Sequence, residues 1–234
     1  MSQAEPPSSS AMVHRPTTLA SAVAVLIAAG SVLLVAGTAH ALPIAVTVFG
    51  LLVVGFATHG NWNDRVATAL ISVCGLGLVV AGLAFVFTTD LDSIAAAELY
   101  PGLAGVAVLA VALLPLRRGW ETALATAGAG LVFIAVLNSG VAYDSGRLAL
   151  LLATAGVVAS WDAARHAITL GDQVGQQAAT SSVELTHIGA TVLTGAVFVA
   201  LTELIWRLGV TGLPLEGLVV FLGAALAFLV VLYK

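Results

Sequence analysis

The chain has 234 residues, 60% of them hydrophobic and 9% charged, with a formal net charge of −4. Soluble domains carry roughly 25% charged residues, so this composition, with a mean hydropathy of +1.08, excludes an ordinary soluble globule and points to a polytopic membrane protein. The small acidic balance and the lack of a basic patch argue against a nucleic-acid partner, and one cysteine excludes an intramolecular disulfide.

Residues 1–17, MSQAEPPSSSAMVHRPT, are polar and rich in Ser and Pro, and predict a disordered cytoplasmic tail. The first apolar run, Thr18–Thr38, has 21 residues. At 1.5 Å per residue it is roughly 32 Å long, enough for a hydrocarbon core of about 30 Å. Ala39-His40-Ala41 follows and resembles a signal-peptidase site. The run before it is longer than a signal core of about 7–15 residues, so it reads as a retained span.

Further spans are predicted at Leu42–Thr58, Val66–Phe87, Leu99–Leu116, Thr122–Ala142, Arg147–Trp161, Leu185–Trp206 and Leu213–Tyr233. Pro43, Pro101 and Pro214 stand at three of the starts, where a missing N–H costs least. Cys74, inside the third run, reads as a packed, inert thiol. The predicted fold is an all-α bundle of about eight spans. It divides into a tail (1–17), a six-span region (18–161), a cytoplasmic amphipathic linker helix (162–184) and a two-span hairpin (185–234). Three odd-numbered spans open alike, as RPTTLASAVAVL, NDRVATALISVC and RGWETALATAGA. The echo fits a hairpin duplication, but Trp belts and small residues recur in any membrane helix.

Eight spans put both termini on one side. That side collects Arg15, Arg65, Arg117, Arg118, Arg165 and Lys234, against Arg147 and Arg207 opposite. The positive-inside rule then places both termini in the cytoplasm of a cell-membrane protein. The longest polar stretch after the tail, SWDAARHAITLGDQVGQQAATSSVELTHIG at Ser160–Gly189, is cytoplasmic on this topology. On a helical wheel Asp162, Arg165, His166, Thr169, Asp172, Gln173 and Gln176 share an arc of about 120°. Ala164, Ala167, Gly171, Val174 and Ala178 lie opposite, a small-residue face suited to close helix contact. Asp162 is expected to pair with Arg165 or His166 on its own helix. Ser181 or Ser182 is expected to cap the seventh span, with Glu184 in its first turn.

Within this stretch, Trp161-Asp162, Leu170-Gly171, Gln173, Gly175, Ala178, Thr180, Glu184 and His187 form a pattern. It resembles the signature of a haloarchaeal family of small multi-pass membrane proteins of unknown function. Where members of that family carry basic residues after the threonine, this chain has Ser181 and Ser182, which argues against an anion-binding turn. The resemblance implies association with gene clusters that encode MoxR-type ATPases, and hence a membrane component of an assembly or maturation system.

Glu184-x-x-His187 has the i, i+3 spacing of carboxylate-bridged di-iron bundles, which need a second such motif and two further carboxylates. One motif alone favours capping and polar pairing. His14, His59, His166 and His187 share the inner level with Asp64, Asp162 and Glu184 and could bind a metal if the loops converge, but capping and polar pairing are favoured for Glu184 and His187 and no metal is expected. Glu203 precedes Arg207 by four residues and reads as an interfacial ion pair rather than a transport acid. Ser145 lies in YDSGR, outside any nucleophile elbow, and there is no phosphate-binding loop. No catalytic residue or cofactor is expected. Ala20, Ala24 and Ala28, and Gly223 with Ala227, are spaced as internal packing seams.

The residues expected to carry interactions are therefore Asp162, Arg165, His166, Asp172, Gln173, Gln176, Glu184, His187 and Glu203. Together they predict a non-catalytic membrane scaffold or assembly subunit, embedded in the lipid bilayer, that docks a protein partner through Trp161–His187. The short fifth and sixth spans and the faint repeats support the alternative, a small-solute or lipid transporter.

Overall fold

Inside a bilayer every backbone N–H and C=O must find its partner within the protein. This chain meets that constraint with helices. The computed structural model describes residues 16–37, 40–59, 65–88, 93–114, 119–142, 146–174 and 180–208, and among them there is no strand. The helices are α1 (Thr18–Ala36), α2 (Ala41–His59), α3 (Arg65–Thr88), α4 (Ser93–Ala112), α5 (Glu121–Ala142), α6 (Arg147–Val174) and α7 (Ser181–Arg207). All but α4 are long and apolar enough to cross a membrane, and α4 contributes the shorter apolar stretch Leu99–Ala112. The eighth predicted span, Leu213–Tyr233, lies outside the described residues. The contacts divide the chain into two units, Met1–Ala196 and Val197–Lys234.

Most boundaries shift by one to a few residues from the sequence prediction, α7 for instance starting at Ser181 rather than Leu185, and three differences bear on the packing. Thr17, assigned to the tail, is buried and precedes α1 with extended backbone (φ −70°, ψ 144°). α4 starts at Ser93 rather than Leu99 and carries Pro101 in its interior. There the ring forgoes one backbone bond without ending the helix. α6 does not stop at Trp161. It runs unbroken to Val174, so the predicted linker helix is the last part of the sixth helix. The physical reason is continuity of packing: Ala163, Ala164, Ala167 and Gly171 extend the buried stripe begun by Ala153 and Val157.

The first unit is built on small residues. α1 lies along α6 and also meets α2, α4 and α5. Ala20, Ala24 and Ala28 are fully buried, so this seam is internal. Ser31 Oγ occupies the space left by the missing side chain of Gly156 on α6. The most closely paired neighbours in sequence are α2 with α3 and α4 with α5. Each of these hairpins crosses at a reciprocal glycine pair. A Cβ on Gly50 would stand 2.7 Å from the carbonyl oxygen of Gly75, and one on Gly75 would stand 2.8 Å from that of Gly50. A Cβ on Gly105 would stand 2.7 Å from the Gly128 carbonyl, and one on Gly128 would stand 2.5 Å from the Leu109 nitrogen. Only glycine lets the backbones come this close, which is how helices gain contact where hydrophobic drive is weak.

Outward positions are apolar, among them Phe49, Leu70, Val73, Phe133 and Leu137. Cys74 is exposed, which corrects the expectation of a packed thiol. α3 meets α2 through Gly75, Val79 and Gly82, and Cys74 is turned about 100° from Gly75 on the helix. Between α1, α2 and α4 the packing is incomplete and leaves a cavity of about 190 Å³.

The glycine crossings make a testable pair. Gly128→Leu should overpack the α4–α5 crossing at a cost of about 1–3 kcal/mol, read as a lower melting temperature in detergent. A side chain on Gly130 meets nothing within 4 Å, so Gly130→Leu should leave the melting temperature unchanged or raised. Equal effects of the two substitutions would contradict the close crossing.

Candidate functional site

A buried carboxylate and a stacked pair of histidines meet at one end of the bundle, where α1 starts, α6 ends and α7 starts. Glu184, in the first turn of α7, is only 2% exposed. Its Oε1 accepts the hydroxyl proton of Thr180 at 2.6 Å. Its Oε2 accepts the hydroxyl proton of Thr17 at 2.9 Å and the backbone N–H of Ala20 at 2.7 Å. A helix start leaves its first backbone N–H groups without intrahelical acceptors, and a side chain at the N-cap usually supplies one. Thr17 stands at that position in α1 but makes no cap bond, since its hydroxyl donates to Glu184. The carboxylate of α7 therefore caps α1, from about 165 residues away in sequence. Three donors on one buried carboxylate offset the loss of water around it.

Thr17 ties in a third helix. Its N–H donates to the Ala167 carbonyl of α6 at 3.1 Å, and its own carbonyl accepts the Ser21 hydroxyl at 2.6 Å. One turn further along α7, Asp162 of α6 joins the two helices. Its Oδ2 accepts from the Thr191 hydroxyl at 2.6 Å and from His187 Nε2 at 2.8 Å. An ionised carboxylate only accepts, so the His187 proton is on Nε2. The His187 ring stacks on His166 with centroids 3.9 Å apart and planes 9° from parallel. His166 Nε2 is buried and has no hydrogen-bond partner among the described residues. On the far side of α6, Trp161 Nε1–H donates to Thr126 of α5 at 3.1 Å. The Arg165 guanidinium lies 5.0 Å from the Trp161 ring centroid, in cation–π range.

The structure thus brings together Asp162, His166, Glu184 and His187 from the sequence-predicted set. It re-pairs two of them. Asp162 bonds to His187 and Thr191 of α7 rather than to Arg165 or His166 on its own helix. Glu184 reaches across to α1, and the residue preceding α7 is Thr180 rather than Ser181 or Ser182. Arg165, Asp172 and Gln173 are exposed on α6, and Gln176 and Ala178 lie outside the described residues. Val174, assigned to the packed stripe, is 44% exposed: α6 has passed its neighbours by that turn. In the second unit, Arg207 Nε donates to Glu203 Oε1 at 3.1 Å, the i, i+4 pair that the spacing predicts.

Sequence reasoning missed Thr17 and Thr191, and it placed Thr180 in the family pattern without foreseeing its bond to Glu184. A signal for Thr191 was present: Glu184, His187 and Thr191, spaced three and four apart, fall within about 60° on α7. Thr17 was hidden by the Ser/Pro-rich composition before it.

The arrangement is suited to joining helices, as a clasp of Glu184, Thr17, Thr180, Asp162, His187 and Thr191. The Thr191 hydroxyl gives its proton to Asp162, and its other contact is the His187 carbonyl at 3.2 Å, so the imidazole does not activate it as a nucleophile. Among the described residues no three His, Cys, Asp or Glu side chains converge on a metal position. A family model described as a family of unknown function, DUF7519, matches residues 79–230. The match takes in α4 to α7, including Asp162, His166, Glu184 and His187. No curated protein matches the chain, and no solved structure does.

Removing the shared cap gives a direct test of its weight. Glu184→Ala leaves the Ala20 N–H and the Thr17 hydroxyl buried without an acceptor, at about 1–3 kcal/mol for each. The melting temperature in detergent should fall clearly. Glu184→Gln keeps one oxygen for both donors and should fall less. An alanine variant as stable as the parent would contradict the capping role.

Proposed function

The chain belongs to the DUF7519 family, and from that premise we propose that it is a non-catalytic membrane component that docks a cytoplasmic protein on the exposed end of α6. The observation that carries the reading is the division of labour along that helix. Asp162 and His166 turn toward α7 and fix the helix, whereas Arg165, Thr169, Asp172 and Gln173 are all exposed. These four fall within an arc of about 100°, opposite the buried Ala164, Ala167 and Gly171. α6 has 28 residues. At 1.5 Å per residue this is roughly 42 Å, about 12 Å more than a hydrocarbon core needs. Its C-terminal turns therefore have the length to stand clear of the bilayer as a rigid polar ridge.

A solute pathway would call for polar lining between the helices. The cavity between α1, α2 and α4 is walled by apolar side chains apart from Thr18 and Ser21, and the α1–α6 contact is filled by small ones. Both features support docking over transport. The sequence resemblance to haloarchaeal proteins from MoxR-type gene clusters supports an ATPase of that class as the partner, in an assembly or maturation system. The excess of cations on the side of Arg65, Arg117, Arg118 and Arg165 supports a cytoplasmic ridge in the cell membrane, with both termini on the same side.

The reading predicts that a photo-crosslinker at position 173, in native membranes, captures the MoxR-type ATPase. Combined replacement of Thr169 and Asp172 by Ala should reduce the yield several-fold with the protein's abundance unchanged, since surface substitutions usually stay within about ±0.5 kcal/mol. A cysteine at 172, in a Cys74→Ser background, should react only from the cytoplasmic side. Labelling from outside in intact cells, or a capture yield indifferent to the double replacement, would sink the proposal.

A further inference from the structure

Neither the hydrogen-bond network around Glu184 and Asp162 nor the ridge of α6 uses the cavity between α1, α2 and α4. It is walled by Ala22 and Val25 of α1, Leu52 and Phe56 of α2, and Ala110 and Leu114 just at the end of α4. Among the described residues, the only polar side chains on its lining are Thr18 and Ser21. Ser21 spends its proton on the Thr17 carbonyl, so the wall offers a polar solute almost nothing to bond. Water is equally unsuited, because a buried water needs two to four polar partners. Yet about 190 Å³ is more than close-packed interiors leave empty, since each atom facing a void forfeits its dispersion contacts.

The cavity opens sideways. Thr18, Leu52 and Phe56 line it and are exposed, so its mouth is on the flank between α1 and α2. Both helices are of membrane-crossing length and hydropathy, so in a bilayer this flank faces hydrocarbon. On α1 the lining runs from Thr18 to Val25, about 10 Å along the helix axis. That is an elongated slot parallel to the helices. A second helix, with a diameter of about 10–12 Å including side chains, does not fit so small a volume. At Gly55, on its wall, an added Cβ would meet nothing within 4 Å, so the wall is set back where glycine stands.

We propose that this slot is a binding site for one hydrocarbon chain of a membrane lipid, held between α1, α2 and α4 at the end of the bundle that carries the clasp. The chain enters from the bilayer through the flank, lies parallel to α1, and supplies the contacts that the α2–α3 hairpin does not make with α1 and α4. Its headgroup remains at the interface beside Thr18. The inference rests on the helices crossing a membrane and is independent of the partner assigned to the ridge.

The test uses the full-length protein in phosphatidylglycerol vesicles containing a phosphatidylglycerol whose palmitoyl chain carries a photoactivatable diazirine. Labelled residues are mapped by mass spectrometry. Leu52, Phe56 and Leu114 should be labelled several-fold more than Leu70 and Phe133, which are exposed elsewhere on the bundle. Filling the slot from either wall, with Gly55→Phe or Ala22→Phe, should reduce labelling at Leu114 several-fold and leave Leu70 unchanged. Two variants on different helices guard against one that fails to fold, which circular dichroism would reveal. Labelling of the slot at the level of Leu70, or labelling unaffected by both fillings, would overturn the proposal.

Discussion

The start of α1 depends on a carboxylate that belongs to another helix. A helix that begins inside a protein must find acceptors for its first N–H groups, and leaving one unsatisfied in an apolar setting is costly. Thr17 is of a type that often supplies that acceptor, but its hydroxyl donates to Glu184, and Glu184 accepts the Ala20 N–H instead. The same carboxylate takes the Thr180 hydroxyl at the start of α7. Two helix starts thus share one anion, and its position sets where α7 begins relative to α1. The Thr17 N–H, bonded to the Ala167 carbonyl, brings α6 into the same frame. Asp162 then meets His187 and Thr191 in register, one and two turns further along α7.

Polar contacts carry such weight here because apolar ones discriminate poorly in a bilayer. Lipid tails are as apolar as leucine, so burying a leucine between helices gains little over leaving it in lipid. Val183, Leu185, Val192 and Leu193 of α7 are indeed exposed. Close approach is the remaining source of contact, and the chain has 24 glycines. Gly50 with Gly75, and Gly105 with Gly128, bring backbones together within the two hairpins. Ala20, Ala24 and Ala28 do the same more gently for α1. The small-residue seams fix distances between helices, and the clasp fixes register and angle at one end.

The all-helical architecture was legible because apolar runs of spanning length leave few alternatives. The buried stripe on α6 was legible too: Ala164, Ala167 and Gly171 share a face, and they pack. What the sequence hides are partners on other helices. Spacing rules of three and four residues reach only neighbours on the same helix. They therefore assigned Asp162 to Arg165 or His166 and missed His187, 25 positions away. Glu184 was recognised as a first-turn acid, which it is, but the helix start it satisfies is also that of α1. Thr17 was lost because tail composition, Ser- and Pro-rich, was extended one structural step too far. Cys74 was misjudged for a related reason: in a membrane helix an apolar neighbourhood in sequence does not imply burial, since both faces are apolar.

The central claim is that Glu184 holds the first turn of α1 from across the bundle. Hydrogen exchange in detergent, resolved to the peptide that begins at Thr18, measures that turn directly. With Glu184→Ala the account predicts faster exchange confined to the first turn of α1 and the first turn of α7, with the α4–α5 hairpin as protected as in the parent. Unchanged exchange at the start of α1, with protection lost only in α7, would show that α1 does not depend on the carboxylate and would contradict the account.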